Sequence, residues 1–156
     1  VSKKITPPGH PEFAIGAITH DGTLFKGEHW DQFSNHPDFV QELSKKKEEV
    51  KRRIEEYRGS SEYNLENKTI ILVDDGIATG STVYAILFWL KKQKPRKIIL
   101  AVPVVPEESF KIMRSHVSRL VVLLTPTEFS AVGQFYQTFE QVSDKKVKEI
   151  ISKHLL

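Results

Sequence analysis

The sequence predicts an α/β domain of three layers, a mostly parallel sheet between helices with a hairpin at one edge. Three observations carry that expectation. Apolar runs at Thr69–Val73, Lys97–Val102 and Leu120–Leu124 lack polar alternation, which is how strands buried on both faces of a parallel sheet read. Helix-period segments separate them, as strand–helix–strand units require. The length, 156 residues, is the usual size of one domain and enough to bury a core.

Taken in order, residues 6–11 (Thr-Pro-Pro-Gly-His-Pro) form a stiff loop, because proline fixes φ and glycine breaks regular structure. Phe13–Ile18 reads as a short strand. His20-Asp21-Gly22-Thr23 follows as a turn, expected to be type I′ because Asp-Gly accepts positive φ, and Leu24–Lys26 returns. A long helix spans about Pro37 to Tyr57, with Val40, Leu43, Val50, Ile54 and Tyr57 as its apolar stripe, Pro37 in its first turn and Gly59 as its stop. A second helix runs from Ser81 to Lys92, with Ala85, Leu87, Phe88, Trp89 and Leu90 facing the core, and a third begins near Pro106. Ser143 caps a closing helix that extends to Leu155. The single domain thus divides into 1–33 (loop and hairpin), 34–59 (long helix), 68–125 (core) and 126–156 (C-terminal hood and tail).

Composition excludes several classes. Apolar residues are 39% and charged residues 28%, as in ordinary globular proteins. The longest apolar run, Ile98 to Val105, falls far short of the roughly 20 residues of a membrane span. No basic-then-apolar leader opens the chain, and there are no cysteines for disulfides or thiolate metal sites, so a cytoplasmic setting is expected. The net charge is only +3, and the basic run at 45–58 interleaves with glutamates. Glu48–Arg52 and Glu49–Arg53 have the spacing of helix-supporting pairs, so the run reads as a solvated helix face and not as a nucleic-acid surface. The six histidines are dispersed without ligand spacing.

The chemistry concentrates in residues 70–82. A strand ends at paired carboxylates, Asp74 and Asp75, and a loop of small residues (Gly76, Ile77, Ala78, Thr79, Gly80) leads into a helix through Ser81 and Thr82. Ligands of open α/β sheets bind beyond the carboxyl ends of strands. Backbone N–H groups from Ala78 to Thr82, three hydroxyls and a helix dipole together suit one phosphate. Gly76 and Gly80 allow a sharp turn and close approach. Two carboxylates beside an anion site are compatible if they face hydroxyls or a cation: a ribose diol bonds to carboxylates, and Mg²⁺ prefers oxygen ligands. Competing motifs fail on composition. Gly80 lacks the following lysine of a Walker loop, a dinucleotide Gly-x-Gly-x-x-Gly is absent, and the 97–102 strand ends at Pro103 and not at the acid a phospho-receiver needs.

This string resembles the phosphoribosyl-pyrophosphate signature of type I phosphoribosyltransferases: apolar strand, two acids, small loop, Thr-Gly-x-Thr. Further similarity to a subfamily of unsettled substrate lies in Val1-Ser2-Lys3-Lys4, Pro-Gly-x-Pro-Glu, Ala14-Ile15-Gly16-Ala17, and the tail from Ala131 to Asp144. The resemblance implies an Mg²⁺-dependent enzyme of nucleotide metabolism that moves phosphoribosyl from phosphoribosyl pyrophosphate to a nitrogenous base, working as a homodimer or higher homo-oligomer. It implies that Asp74 and Asp75 hold the ribose hydroxyls and metal, that Ala78–Thr82 hold the 5′-phosphate, and that Lys3 or Lys4 approaches pyrophosphate. Residues 5–12 would be a closing loop, and Phe129, Phe135 and Tyr136 would belong to a hood over the base, although core packing is the favoured reading of these rings.

Two departures bear on turnover. Many members carry an acid where this chain has Ala78, leaving Asp21, Glu12 and Glu128 as weak candidates for proton transfer. The family also has an earlier, central strand ending in a pyrophosphate-binding loop, and nothing before Val1 supplies it. With Met113 the only methionine, the expectation is an N-terminally shortened member, or one whose gap a partner chain fills. A non-catalytic module that senses phosphoribosyl pyrophosphate or a nucleotide is the alternative function.

Overall fold

The computed structural model describes residues 1–7, 10 and 13–154. Its strands fall into two three-stranded sheets. Strands β1 (Ser2–Ile5), β2 (Gly16–Thr19) and β3 (Leu24–Lys26) form an antiparallel meander in that order. Strands β4 (Thr69–Val73), β5 (Lys97–Val104) and β6 (Arg119–Leu124) form a parallel sheet with β5 central. The α/β class is as predicted. The hairpin, however, is part of a meander whose first strand is contributed by the chain's opening residues, and β2 starts at Gly16 where Phe13 was expected.

The β2–β3 turn is not type I′. Gly22 has φ 86°, whereas neither His20 nor Asp21 adopts positive φ. Gly22 donates to the Thr19 carbonyl at 3.1 Å and Thr19 to the Thr23 carbonyl at 3.0 Å, which closes a three-residue loop with one left-handed position. Asp21 makes this turn favourable, since its carboxylate accepts from the Thr19 hydroxyl at 2.5 Å and from the Thr23 N–H and hydroxyl, both at 2.9 Å.

After a short helix α1 (Trp30–Phe33), α2 runs Pro37–Arg58, its N-terminus capped by the His36 ring and its C-terminus closed by left-handed Gly59. The buried stripe uses Phe39, and Val40 is 68% exposed. Stepping by four and three from residue 39 reaches Leu43, Lys46, Val50, Ile54 and Tyr57 on one face, so Phe39 shares their stripe and its neighbour does not. Phe39 meets Trp30 edge-on at 5.1 Å and joins Ile5, Ile15, Ile18 and Val50 in one core. The opposite face is charged. Arg53 pairs with Glu49 at 3.5 Å as expected, whereas Arg52 turns to Glu56 and not to Glu48. Tyr57 and Lys148 complete the seam to α5 (Asp144–His154), reaching Asp144 and Glu56 at 2.6 and 2.7 Å. Ser143 caps α5 through the Lys146 amide, as predicted, and Leu155 lies outside the described residues.

The helix α3 (Ser81–Lys92) has the predicted bounds, although Phe88 is exposed. It packs against both sheets, and its Val83, Leu87 and Leu90 join Ile98, Leu100 and Val102 of β5 in the second core. Helix α4 (Glu107–Arg114), entered through Pro106, adds Met113. Strand β5 continues through Pro103, which falls beyond Ala101, the last residue paired to β4, where a missing N–H does not interrupt that ladder.

The expectation of burial on both faces fails for β4. Ile71 and Val73 are 63% and 69% exposed, and Leu123 of β6, on the same sheet face, is 84% exposed. The other face, with Ile70, Leu72, Leu100 and Val122, packs on α3 and α4. Among the described residues β4 has β5 as its one neighbour, so it is an edge.

This asymmetry sets an expected outcome in urea unfolding. Leu100→Ala should cost about 2–5 kcal/mol, because it empties a fully buried site. Leu123→Ala should stay within about 0.5 kcal/mol of the parent. Equal losses would mean that the β4–β6 face is covered in solution.

Candidate functional site

Residues 74–82 lie where β4 and β5 end and α3 begins. The buried Ile77 side chain packs into the second core beside Val105 and Met113, and its N–H donates to the Val104 carbonyl at 2.9 Å. The Ala78 carbonyl accepts from the Ser109 hydroxyl at 3.1 Å. Gly80, the N-cap of α3, has φ 74°, and a Cβ there would sit 3.0 Å from Met113 Cε and 3.1 Å from the Tyr84 ring. The left-handed backbone thus favours glycine, and a side chain would in addition have to displace Met113 or Tyr84 slightly. The Thr79 and Ser81 hydroxyls contact one another at 3.2 Å.

With the Ala78 carbonyl and the Ile77 amide pinned, the loop leaves other groups available. The N–H groups of Ala78, Thr79, Gly80, Ser81 and Thr82 meet no protein acceptor among the described residues. Five adjacent donors at the positive end of a 12-residue helix make an anion site.

The carboxylates stand just upstream. Asp74 Oδ1 accepts from the Asp75 N–H at 3.0 Å. Burial first, and then the adjacent Asp75 charge, push the Asp74 carboxyl above the usual range, against the opposing pull of the Asp75 N–H and the Lys4 ammonium. Lys4 is therefore near the site. Lys3, its neighbour on β1, is not: it pairs with Glu49 of α2 at 2.7 Å, because successive strand residues face opposite ways. Ser2, on the side of Lys4, donates to the Thr82 carbonyl at 3.2 Å and ties β1 to the first turn of α3.

The C-terminal segment also reaches the loop, through contacts that carry no sequence signal. Tyr136 Oη donates to the Asp75 carbonyl at 2.5 Å. A Cβ on Gly76 would lie 2.6 Å from Val132 and 2.8 Å from Val104, so only glycine lets the 3₁₀ turn Val132–Phe135 settle there. Phe129 and Phe135 stack at 5.6 Å and Tyr136 meets Phe139 at 5.1 Å, so these aromatics pair among themselves beside the loop. Trp89 is buried, and packs against His20 and Tyr63.

Of the proton-transfer candidates, Asp21 is remote. It is close enough to feel the charge of Lys92, at the far end of a helix about 18 Å long. Burial raises its pKa, but the Thr19 and Thr23 hydrogen bonds outweigh this and hold the carboxyl below the usual range. Glu128 is exposed in the segment before the 3₁₀ turn, and Glu12 lies outside the described residues, as do residues 8, 9 and 11 of the expected closing loop.

The raised Asp74 has a thermodynamic consequence. A carboxyl that holds its proton more tightly when folded costs stability as pH rises from the unfolded value, about 3.9, through the folded one. Ligand-free Asp74→Asn is therefore expected to melt above the parent at pH 7, with the gap narrowing toward pH 4. A variant that melts below the parent at pH 7 would refute this electrostatic account.

Comparison with known proteins identifies the family of the chain. Residues 16–135 match the family model described as "Phosphoribosyl transferase domain". Proteins of two Mycobacterium tuberculosis strains, CDC 1551 / Oshkosh and H37Rv, provisionally named phosphoribosyl transferases, are each 34% identical over 160 residues. Those alignments cover 98% of this chain and 35% of each relative, so the chain spans about a third of their length. The crystal structure of TT1426 from Thermus thermophilus superposes with a TM-score of 0.72 at 30% identity, over 98% of this chain and 74% of that one. With its loop geometry and a family match over most of its length, the chain belongs to the type I phosphoribosyltransferases.

Proposed function

We propose that the chain binds phosphoribosyl pyrophosphate through residues 74–82 and serves transfer of its phosphoribosyl group to a nitrogenous base. In that reaction the bond from the anomeric carbon to pyrophosphate breaks, a bond to the base nitrogen forms, and the base gives up a proton. The observation that carries the reading is the adjacency of five unpartnered amides to two carboxylates. A 5′-phosphate at the amides and a ribose diol at Asp74 and Asp75 are the two ends of one ligand, and this placement uses both without bringing like charges together.

Asp74 and Asp75 fit Mg²⁺ as an ion that arrives with the substrate. Among the described residues no three acidic or histidine side chains gather into a metal cage, and Mg²⁺ commonly takes one or two carboxylates plus substrate phosphates. Bound there, the ion would supply charge neutralisation for the departing pyrophosphate. Lys4, whose ammonium already offsets the Asp74 charge, is the described cation best placed to help hold pyrophosphate. Lys3 is withdrawn from that role by Glu49. The remaining grip on pyrophosphate would come from outside β1–β6, on the free edge of β4, supplied by further residues of a longer chain or by a partner such as a second copy.

A second reading, binding without turnover, is favoured by one observation. Ala78 stands where an acid would handle the base proton, and no carboxylate other than Asp74 and Asp75 lies on the loop. The two readings separate on incubation with labelled phosphoribosyl pyrophosphate, Mg²⁺ and a panel of bases. The enzyme releases pyrophosphate with one of them, whereas a sensor binds and releases none. Under both, Asp75→Asn should weaken phosphoribosyl pyrophosphate binding roughly 10- to 100-fold by calorimetry, through loss of a charged hydrogen-bond acceptor. Equal affinities for variant and parent would refute the site.

A further inference from the structure

We infer that Tyr136 is a positioning residue for the sugar-binding carboxylates, acting through the main chain of Asp75. The inference rests on the reading of residues 74–82 as a sugar-phosphate site and adds a residue to it.

The loop peptides differ in how firmly they are held. Ile77 is fixed by Val104 and Ala78 by Ser109, both on the phosphate side of the loop. On the carboxylate side, β4 has ended at Val73, and β4 is an edge strand without a second neighbour among the described residues. Among the described residues the Asp75 N–H is held only by Asp74, the residue before it, which orients the pair internally without anchoring it to the body of the protein. The anchor is the Tyr136 hydroxyl on the Asp75 carbonyl, made across 61 residues of sequence. Immediately beyond, Gly76 admits Val132 to a distance that any side chain would forbid, so the same C-terminal segment grips two consecutive residues.

The hydroxyl thus sets the direction of the Asp75–Gly76 peptide and, with it, the bearing of the Asp75 side chain. Without that bond the peptide can rotate, and the carboxylates must be ordered by the ligand at the ligand's expense. The phosphate cradle has its own anchors and should not be affected. Tyr136 also follows directly on the turn that carries Phe135, whose ring stacks on Phe129, so the position of the aromatic pair and that of the carboxylates are linked by one bond.

Tyr136→Phe, which removes only the hydroxyl, tests this by calorimetry with two probes and Mg²⁺. Ribose 5-phosphate reads both halves of the loop, and inorganic phosphate reads the amides alone. The expected result is a roughly 3- to 10-fold loss of ribose 5-phosphate affinity, the scale of one neutral hydrogen bond, with inorganic phosphate affinity unchanged. Unchanged affinity for both probes, or equal loss of both, would overturn the positioning role. Tyr136→Trp, which keeps ring packing without a hydroxyl at that place, should lose sugar selectivity likewise, and retention of it would also overturn the role. Failure of the underlying reading looks different: the unaltered chain would then bind ribose 5-phosphate no better than inorganic phosphate.

Discussion

The amide of Ile77 donates to the carbonyl of Val104, and around that bond the rest of the site is arranged. It folds the chain leaving β4 back across the end of β5, while the Ile77 side chain sinks into the core below. Once that residue is fixed, the chain must climb to the start of α3 within a few residues. The left-handed Gly80 is what makes so short a climb possible. The parallel register supplies the precondition, since Val73 lies beside Ala101 and the two strands reach the loop together. Packing energy spent in the core therefore appears at the surface as a row of amides held in place before any ligand arrives.

The site carries a cost that the rest of the fold absorbs. Two neighbouring carboxylates, one of them poorly solvated, oppose folding, and unpartnered amides gain nothing from the protein itself. Such conflicts concentrate where a ligand resolves them. The well-packed cores around Leu100 and Val50, together with the charged seam between α2 and α5, hold the frame against this local strain. Among the described residues β4 has an unpaired edge beside the same acids, with main-chain groups open next to the place where the substrate is expected to lie.

Local signals were legible in the sequence, and long-range ones were not. The bounds of α3, the cap at Ser143 and the strand–loop–helix junction over 74–82 follow from propensity, periodicity and turn residues that act over a few positions. Periodicity misassigned Val40 because a three-residue step from Leu43 reaches it, whereas the stripe advances by four there to Phe39. The run Thr69–Val73 reads identically whether one or two faces are covered, since apolar content records suitability for burial and not the presence of a partner. Lys3 and Lys4 are indistinguishable until the strand register sends one to Glu49 and the other toward Asp74. Tyr136 stands out in the sequence as one of the tail aromatics, but its bond to a main-chain carbonyl 61 residues away leaves no mark on either stretch of sequence.

The anion-holding groups of this loop belong to the main chain, and this bears on how the site can change over generations. Side chains at Ala78 and Thr79 contribute little to a cradle built of N–H donors, so replacements there leave the cradle standing as long as Gly76, Ile77 and Gly80 keep the backbone path. Drift is therefore channelled. On the proposed reading, an acid at position 78 could be lost or regained, and with it proton handling, without disturbing the phosphate cradle. Capture of the sugar phosphate, on that reading, rests on backbone shape and proton handling on an exchangeable side chain, so binding and turnover can be gained or lost separately.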